Sequence, residues 1–437
     1  MSGLKQTWIL RCQCVRRMAV AVIMLAMLCA IANGGKREEI AGKIRNLTQP
    51  ATLNFWQTHN SEETQTLKDI VAAFQKEYPN VKVVMDTVAF AEAQTKFKTA
   101  AKAGKTPDCF RSEVAWTPDF AELGYLTPLD EYLTQADKDS YLAGPMRTAV
   151  YKEETWGLPQ VTDCLALLYN KRLFKEAGAE PPKTFDELVA AGRKLSKPEA
   201  NKYAFAYPAN DSYFILPYIW SFGGGLIDEQ SRKILINDEG SVKGLQFALE
   251  LRSKEKIVSP TFDVANDYTN QLEDFKAGRL AMFFMGPWAT ANILSGDEFK
   301  SAPANLGVTD LPKGPADSGS PIGGHAYVVS AASKNPDIAF FFLDWINQPK
   351  NQAMFTVKNN LLPTHKAAYD LPEVKSNDLV QAFRRQLDTA RTRPIIPEAA
   401  SIFPPFTKSY QDALRGAKPP KDALDDVARE WKRLLEK

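Results

Sequence analysis

The sequence predicts an α/β fold built from two lobes. Strand, helix and strand patterns follow one another along the chain, which is typical of proteins with parallel sheets. The chain has 437 residues, more than one hydrophobic core usually serves, so two domains are expected. No internal repeat, low-complexity run or long linker interrupts this pattern.

The composition is that of a globular protein without a dominant charge. Hydrophobic residues make up 44% and charged residues 24%, with 54 Lys and Arg against 52 Asp and Glu. This balance produces no strong field that would recruit nucleic acid or hold the protein on an anionic membrane. We therefore expect no nucleic-acid partner.

The first 32 residues have the pattern of a secretory signal peptide. Four basic residues between positions 5 and 17 precede the apolar stretch Met18 to Ile31, and small residues follow at the predicted cleavage site near Ala32. The stretch is too short to span a bilayer comfortably, so export to the periplasm is favoured over a membrane anchor. A lipid anchor on Cys29 is a further alternative, disfavoured because Leu28 stands where lipoprotein signals place Gly or Ala.

Cysteine and histidine usage predicts neither a disulfide framework nor a metal site. Removal of the leader leaves Cys109 and Cys164, for which two free thiols are favoured over one bridge. The histidines, His59, His325 and His365, show no metal-ligand spacing with the cysteines. No metal and no cofactor is expected.

The first structural unit after a polar tail is a strand, a helix and a second strand. Residues 51–60 read as a buried strand running into a turn, and apolar residues from Leu67 to Tyr78 then recur at helical spacing. Asn60 suits the N-cap of this helix, with Glu63 three positions on. Residues 81–87 form the next strand, which predicts parallel pairing.

The same order recurs in the middle of the chain. Residues 163–170 are predicted as one strand, and Thr184 with Glu187 forms a capping box that opens a helix. Residues 203–209 are a further strand candidate. Leu280 to Met285 reads as a strand buried on both faces, as parallel strands are.

The last part of the chain adds one strand and two helices. Residues 325–333 are predicted as a strand after a loop from Gly314 to Gly324, and residues 336–347 as an amphipathic helix. A final helix over residues 421–435 directs Leu424, Val427, Trp431 and Leu434 inward.

The stretch GRLAMFFMGPWAT (278–290) places a tryptophan where a buried strand ends. Gly286 suits a helix N-cap and Pro287 the first helical position, so Trp288 falls in the first turn. In open α/β sheets ligands bind beyond the carboxyl ends of strands. A flat indole there suits the apolar face of a sugar ring. The residue alone leaves open whether Trp288 binds a ligand or covers the strand end.

Two motifs resemble the family 1 extracellular solute-binding proteins of ABC importers. Residues 157–188, GLPQVTDCLALLYNKRLFKEAGAEPPKTFDEL, resemble the family signature, and residues 275–293, FKAGRLAMFFMGPWATANI, are similar to the segment of maltose-binding proteins whose tryptophan stacks on a glucose unit. The resemblance extends roughly from Leu53 to Leu435. It implies the type II periplasmic binding protein fold, a ligand clasped between two lobes by hinge closure, and delivery to a membrane permease.

The resemblance also divides the chain. Residues 48–162 with 325–372 are expected to form lobe I, and residues 163–324 with 373–437 lobe II. A strand around Tyr327 is expected between those bearing Cys109 and Cys164, a separation of about 10 Å that disfavours a bridge. A monomer is expected, binding a di- or oligosaccharide or a small glucoside.

Site residues are transferred one by one. Trp288 matches directly, Asp163 falls where maltose-binding proteins carry an acidic sugar-binding residue, and Asp211 with Tyr213 resembles their acid-x-tyrosine pair. These side chains are expected to contact the ligand.

Weaker candidates stand where this chain departs from the maltose binders. Their predicted alternatives are structural: capping by Asn60, a surface ion pair between Arg111 and Glu113, and packing of Trp116 under its helix. The weaker candidates are His59, Asn60, Arg111, Glu113, Trp116, Gly324, His325 and Phe403.

Two other functions remain alternatives. Asp163 and Asp211 can be read as the carboxylate pair of a glycosidase, although the sequence carries no sign of the desolvated acid such an enzyme needs. The same fold can also bind a polyamine, an amino acid or a metal complex. A cation would call for more acids than aromatic residues near Trp288.

Overall fold

The computed structural model describes residues 36–436. The predicted signal peptide, including Cys29, lies outside these residues. Within them no helix is both long and apolar enough to cross a membrane.

Helices and strands alternate over most of the described chain. The helices are α1 (36–45), α2 (Ser61–Glu77), α3 (Phe90–Lys102), α4 (Thr117–Glu122), α5 (Gln135–Asp139), α6 (Ala143–Thr148), α7 (Lys171–Glu176), α8 (Phe185–Leu195), α9 (Leu216–Ser221), α10 (Glu239–Ser253), α11 (Asp267–Lys276), α12 (Thr290–Ser295), α13 (Pro336–Ile346), α14 (Pro349–Asn359), α15 (Pro372–Lys375), α16 (Asp378–Leu387), α17 (Phe403–Leu414) and α18 (Pro420–Leu435). The strands are β1 (Ala51–Gln57), β2 (Val81–Thr87), β3 (Cys109–Glu113), β4 (Val150–Tyr151), β5 (Glu154–Thr155), β6 (Leu158–Cys164), β7 (Ala166–Asn170), β8 (Phe205–Ala206), β9 (Met282–Met285), β10 (Leu306–Thr309), β11 (Pro321–Val329), β12 (Leu362–Pro363) and β13 (Arg391–Thr392).

Two sheets organise the molecule. The larger has the order β12-β6-β11-β3-β1-β2, with β13 beside β11, and the smaller has the order β10-β7-β9-β8. Each sheet has its own hydrophobic core, one containing Leu53, Phe55 and Phe74 and the other Phe205, Phe275 and Phe284. The α/β architecture in two parts therefore agrees with the prediction.

The expectation of mostly parallel sheets is wrong. Strand β1 pairs parallel with β2 and β3, but β11 runs antiparallel to β3 and β6. In the smaller sheet β9 is parallel to β8 and antiparallel to β7. The run from Leu280 to Met285 is fully buried, as predicted. Burial on both faces shows that hydrophobic residues cover both sides of the strand. It does not determine whether the neighbouring strand runs parallel or antiparallel.

The predicted strand over residues 163–170 is two strands in two sheets. Strand β6 ends at Cys164 in the larger sheet and β7 begins at Ala166 in the smaller one. Between them the carbonyl of Leu165 accepts a hydrogen bond from Ser320 Oγ at 2.7 Å. The apolar run is continuous because both halves are buried, so composition alone does not reveal the crossing at Leu165.

Strand β11 begins earlier than predicted. It covers Pro321–Val329 rather than residues 325–333, so the end of the predicted loop, with Gly323 and Gly324, belongs to the sheet. Gly324 has φ +129°, and its pairing with β6 shifts register just beyond it. The glycines indicated a loop, whereas here they permit an irregular strand.

The N-terminal tail is not merely polar. Helix α1 buries Ile40, Ala41 and Ile44 in the core that contains Leu53. Arg37 anchors the helix through two hydrogen bonds to the carboxylate of Asp344, at 3.0 and 3.1 Å.

Several local predictions are confirmed. Asn60 caps α2, with Oδ1 accepting from the Glu63 N–H at 2.8 Å. Strand β11 lies between β3 and β6, which bear the buried free thiols of Cys109 and Cys164. Leu424, Val427 and Trp431 of α18 are buried.

Candidate functional site

A cleft of about 850 Å³ lies between strands of the larger sheet and the loops and helices that accompany the smaller one. This volume is typical of small-molecule sites, which span roughly 300–1,000 Å³. Elements of both parts of the molecule line it. The lining includes Asn60, Glu63, Phe90, Arg111, Glu113 and Trp116 from the larger sheet and its connections, Asp163, Gly323, Gly324 and His325 from the crossing strands, and Asp211, Tyr213, Tyr268, Trp288, Arg393 and Phe403 from the other side.

Trp288 lies in the cleft, partly exposed, in the first turn after β9. Gly286 and Pro287 begin a short 3₁₀ helix as predicted, and α12 continues it. The indole folds back over Gly286, where a methyl group would lie 1.8 Å from Trp288 Cζ3. Its Nε1 donates to Tyr268 Oη at 3.0 Å. The ring packs against both main cores, so it lies at the junction of the two parts.

A second aromatic surface faces the cleft from α3. Phe90, the first residue of that helix, is 51% exposed. Its ring stacks on Trp116 with centroids 5.2 Å apart, and Phe110 lies behind Trp116 at 6.2 Å. Trp116 is 7% exposed, so it supports this surface and Phe90 presents it.

Asp163 lies at the end of β6, where the chain leaves the larger sheet. Tyr213 Oη donates to Asp163 Oδ1 at 3.4 Å. Burial raises the pKa of Asp163 to about 7, with Glu113 adding to the rise and Arg393 opposing it. The sequence gives no sign of this desolvation, because it arises where the crossing strands meet and partly bury the carboxyl group.

Asp211 has a local structural role beside its place in the cleft. Its Oδ1 accepts from the Tyr213 N–H at 2.9 Å and caps the 3₁₀ helix Ser212–Ile215. Burial raises the pKa of Asp211. The cap fixes the backbone that carries Tyr213, so the acid-x-tyrosine spacing has a physical basis.

Arg393 connects residues from both sides of the cleft. It forms an ion pair with Glu113, and each side chain is 11% exposed. Its guanidinium lies 5.5 Å from the ring centroid of Tyr213 and 5.8 Å from that of Phe403. Charge and aromatic contacts thus fix an arginine that the sequence analysis did not identify.

The predicted alternative of a surface pair between Arg111 and Glu113 is wrong. Both side chains are buried and have other partners. Arg111 donates from Nε to Gln160 Oε1 at 2.9 Å and from Nη1 to Thr58 Oγ1 at 3.2 Å, with Glu63 Oε2 at 3.9 Å from Nη2. Alternation along β3 directs both side chains to one face of the sheet.

The glycines of β11 allow the acidic group of Asp163 to approach. A methyl group at Gly323 would lie 2.2 Å from Asp163 Oδ1, and one at Gly324 2.2 Å from the Val161 carbonyl. His325 follows, with neither ring nitrogen bonded to a protein group within the described chain. Burial, with Arg111 and Arg393 nearby, lowers the pKa of His325 well below its usual value, so the ring is neutral at pH 7.

The structure separates two candidates that are adjacent in sequence. Asn60 caps α2 as predicted and also lines the cleft, so its role as a ligand contact stays a prediction. His59 is not among the lining residues, because its ring points inward and stacks on Phe355 with centroids 5.3 Å apart. Phe403 lines the cleft at the start of α17.

Several lining residues were not identified from the sequence, among them Phe90, Tyr268, Glu63 and Arg393. Phe90 lies in the first turn of a helix that follows a strand, as Trp288 does. The same pattern, an aromatic residue just after a strand end, could have identified it. Tyr268 also lies in a first helical turn, that of α11. The sequence indicates Glu63 only as a residue three positions after the N-cap Asn60. No sequence pattern indicates that Arg393 reaches the cleft.

The cleft combines flat aromatic surfaces with hydrogen-bonding groups of both kinds. Acids accept, arginines donate, and tyrosine does both. Within residues 36–436 no cluster of three or more His, Cys, Asp or Glu side chains is arranged to hold a metal ion. Such a cleft suits an uncharged ligand with hydroxyl groups around an apolar face.

Comparisons with known proteins agree with this geometry. The model of the family described as bacterial extracellular solute-binding protein matches residues 60–353. A maltotriose-binding protein of Pyrococcus abyssi is 26% identical over 370 residues, covering 83% of this chain and 78% of the relative. A galactooligosaccharide-binding protein of Bacillus subtilis is 26% identical over 422 residues, covering 94% of this chain and 96% of the relative.

A solved structure extends the likeness to three dimensions. The GacH receptor of Streptomyces glaucescens, determined unliganded and in complex with acarbose, is 35% identical to this chain with a TM-score of 0.83. The match covers 89% of this chain and 99% of the receptor.

Proposed function

Because the chain belongs to the bacterial extracellular solute-binding proteins, we propose that it is the sugar-binding component of an ABC importer. It binds a di- or oligosaccharide, or a small glucoside, in the cleft and delivers it to the membrane permease. Relatives named for maltotriose and galactooligosaccharide binding, and a similar receptor solved with acarbose, support this ligand class.

The observation that carries the proposal is the position of Trp288. Its indole lies in the cleft lined by Asp163, Asp211 and Tyr213. A sugar has no charge, so its affinity comes from stacking and from hydroxyl hydrogen bonds in a desolvated site. Phe90 offers a second stacking surface opposite the elements that carry Trp288.

The proposed contacts follow the cleft. Trp288, Asp163, Asp211 and Tyr213 contact the sugar, with Phe90 as an addition to the predicted set. Arg111, Glu113, Asn60, Trp116, Gly324, His325 and Phe403 shape or line the site. The proposed lobes keep the predicted boundaries, residues 48–162 with 325–372 and residues 163–324 with 373–437.

Localisation and assembly complete the proposal. The signal peptide is cleaved near Ala32 and the mature protein works as a monomer in the periplasm, with a lipid anchor on Cys29 as the alternative. N-terminal sequencing and mass spectrometry of the exported protein distinguish a start after residue 32 from a lipidated cysteine.

One observation favours a glycosidase as the second candidate. A carboxyl group with a pKa of about 7, such as Asp163, is what a general acid requires. We favour binding because the family is one of solute-binding proteins and the similar Pyrococcus abyssi protein is a maltotriose-binding protein. Incubation with maltose followed by a reducing-sugar assay separates the two, since turnover that disappears in Asp163→Asn would establish catalysis.

The proposal is tested by a thermal-shift screen over sugars and control solutes. A ligand at a hundredfold its dissociation constant stabilises the folded form by about 2.7 kcal/mol, which moves the Tm measurably. We expect maltotriose or another neutral oligosaccharide to raise the Tm, while spermidine and amino acids do not. A response to spermidine alone would replace the sugar with a polyamine.

A further inference from the structure

Phe90 is an exposed aromatic residue on the wall of the cleft. Its side chain is 51% exposed, whereas every other Phe, Tyr and Trp side chain within residues 36–436 is buried or half-buried. A single exposed apolar side chain on a convex surface needs no explanation. Phe90 differs because it lines a concave site, where apolar surface is available to a ligand.

The Phe90 ring is held in place by two rings behind it. It stacks on Trp116 with centroids 5.2 Å apart and planes inclined by 29°. Trp116 in turn stacks on Phe110, at 6.2 Å and 8°. Phe110 is fully buried, so the stack is anchored in the hydrophobic core. A ring that is already ordered loses little conformational freedom when a ligand packs against it, which favours binding.

The residues of α3 that line the cleft beside Phe90 are uncharged. They are Ala91, Gln94 and Thr95, and the helical repeat places Gln94 on the same side of the helix as Phe90. Gln94 Nε2 donates to Asp119 Oδ2 at 3.5 Å, which leaves its amide oxygen to accept from a ligand. Thr95 is exposed and offers a hydroxyl group. An aromatic ring beside amide and hydroxyl groups suits a pyranose.

Phe90 and Trp288 belong to different sides of the cleft. Phe90 follows β2 of the larger sheet, whereas Trp288 follows β9 of the smaller one. The Phe90 ring contacts His325 edge-on, with centroids 5.9 Å apart. His325 lies two positions along β11 from Gly323, the glycine beside Asp163, and two strand residues span about 6.6–6.8 Å. Phe90 therefore lies farther along the cleft than the acids.

The size of the cleft admits more than one sugar unit. Its volume of about 850 Å³ is in the upper part of the range of roughly 300–1,000 Å³ for small-molecule sites. Two aromatic surfaces with hydrogen-bonding groups near each of them match a chain of sugar units better than a single ring.

We propose that Phe90, with Gln94 and Thr95, forms an outer subsite for a sugar unit other than the one that stacks on Trp288. This inference rests on the proposed sugar-binding function and narrows the ligand to an oligosaccharide of three or more units. Two units occupy the inner part of the cleft, at Trp288 and at the acids. The third unit stacks on Phe90.

The test is calorimetric titration of the full mature chain with maltose, maltotriose and maltotetraose. In the wild type we expect maltotriose to bind roughly three- to tenfold more tightly than maltose, because the third unit gains an aromatic contact. Phe90→Ala should remove this gain and bring the ratio of the two affinities close to one. Maltotetraose should behave as maltotriose does in both proteins.

Two variants serve as controls. Phe90→Tyr retains the ring and should retain the ratio of the affinities. Val357→Ala shortens an apolar side chain of similar exposure, 53%, on α14 outside the cleft, and it should change no affinity. Thermal unfolding shows whether Phe90→Ala is folded, as we expect for a side chain with half of its surface in solvent.

The possible outcomes separate the subsite from the proposed function. Equal losses of maltose and maltotriose affinity in Phe90→Ala would overturn the outer subsite and indicate one sugar unit held between Phe90 and Trp288. A wild type that binds maltose as tightly as maltotriose would also overturn it, with sugar binding intact. If the wild type binds none of the three sugars, the subsite is rejected, and the thermal-shift screen decides separately whether the cleft binds another sugar.

Discussion

The orientation of the Trp288 indole depends on Gly286, two positions before it. Because the indole covers the backbone of Gly286, a methyl group at that position would overlap the ring. Proline and glycine before the tryptophan are therefore part of one local structure, in which the turn sets the ring orientation.

Gly286→Ala should weaken sugar binding although Trp288 itself is retained. The ring must leave its position, and we expect an affinity loss comparable to that of removing it, roughly tenfold or more. Calorimetric titration with the ligand found in the sugar screen measures this. Gly42→Ala on α1 is the control, since a methyl group there meets no atom within 4 Å; equal affinities for the two variants would contradict the role of Gly286.

Because the pKa of Asp163 is raised, ionising its carboxyl group lowers the free energy of unfolding, and the loss depends on pH. Its folded pKa of about 7 lies above the unfolded value of about 3.9, so its stabilising contribution is present below pH 4 and is lost as pH rises to 7. Asp163→Asn should therefore be more stable than the wild type at pH 8, by on the order of 1–2 kcal/mol, and this advantage should shrink toward pH 5. Urea unfolding at both pH values measures it, and an advantage that grows on acidification would refute the assignment.

Among the helices and strands, the sequence was most informative where pattern and environment coincide. The N-cap at Asn60, the buried run before Gly286 and the final helix were all predictable from local chemistry. The direction of the strands and the break at Leu165 were not predictable. An apolar run is equally buried in a parallel or an antiparallel sheet, and equally buried on either side of the break. The site was predictable where side chains follow strand ends, as with Trp288, and unpredictable where tertiary contacts define it, as with Arg393.

The pair of Glu113 and Arg393 ties strand β3 to the segment after β13. Breaking a nearly buried pair leaves one charge uncompensated, so Glu113→Gln should destabilise the protein by about 3 kcal/mol. The double variant Glu113→Gln/Arg393→Met should lose less than the sum of the single variants. Chemical denaturation gives the three values, and strict additivity would contradict the pairing. Lys243→Met, which breaks an exposed pair with Glu239, is the control and should be neutral within error.

The two parts of the molecule are joined by crossings that contact each other. One crossing passes Leu165 and the next precedes β11, where Ser320 donates to the Leu165 carbonyl. We expect a ligand that contacts Trp288 and Phe90 together to bind a closed arrangement of the two parts better than an open one, and therefore to shift the population toward closure.

Closure should be visible in solution. Small-angle X-ray scattering of the wild type is expected to give a smaller radius of gyration with saturating ligand than without it. Trp288→Ala at the same ligand concentration should show a smaller change, because less of it is bound. Identical scattering of the free and saturated wild type would contradict closure by the ligand.

The most direct test of the sugar site is calorimetric titration of Trp288→Ala with maltotriose, or with the oligosaccharide that gives the largest thermal shift. Loss of the aromatic surface should reduce affinity by roughly ten- to hundredfold, about 1–3 kcal/mol, in a variant that remains folded. Trp345→Ala, which removes a half-buried indole outside the cleft, should retain wild-type affinity. An unchanged affinity of Trp288→Ala would contradict the proposed site.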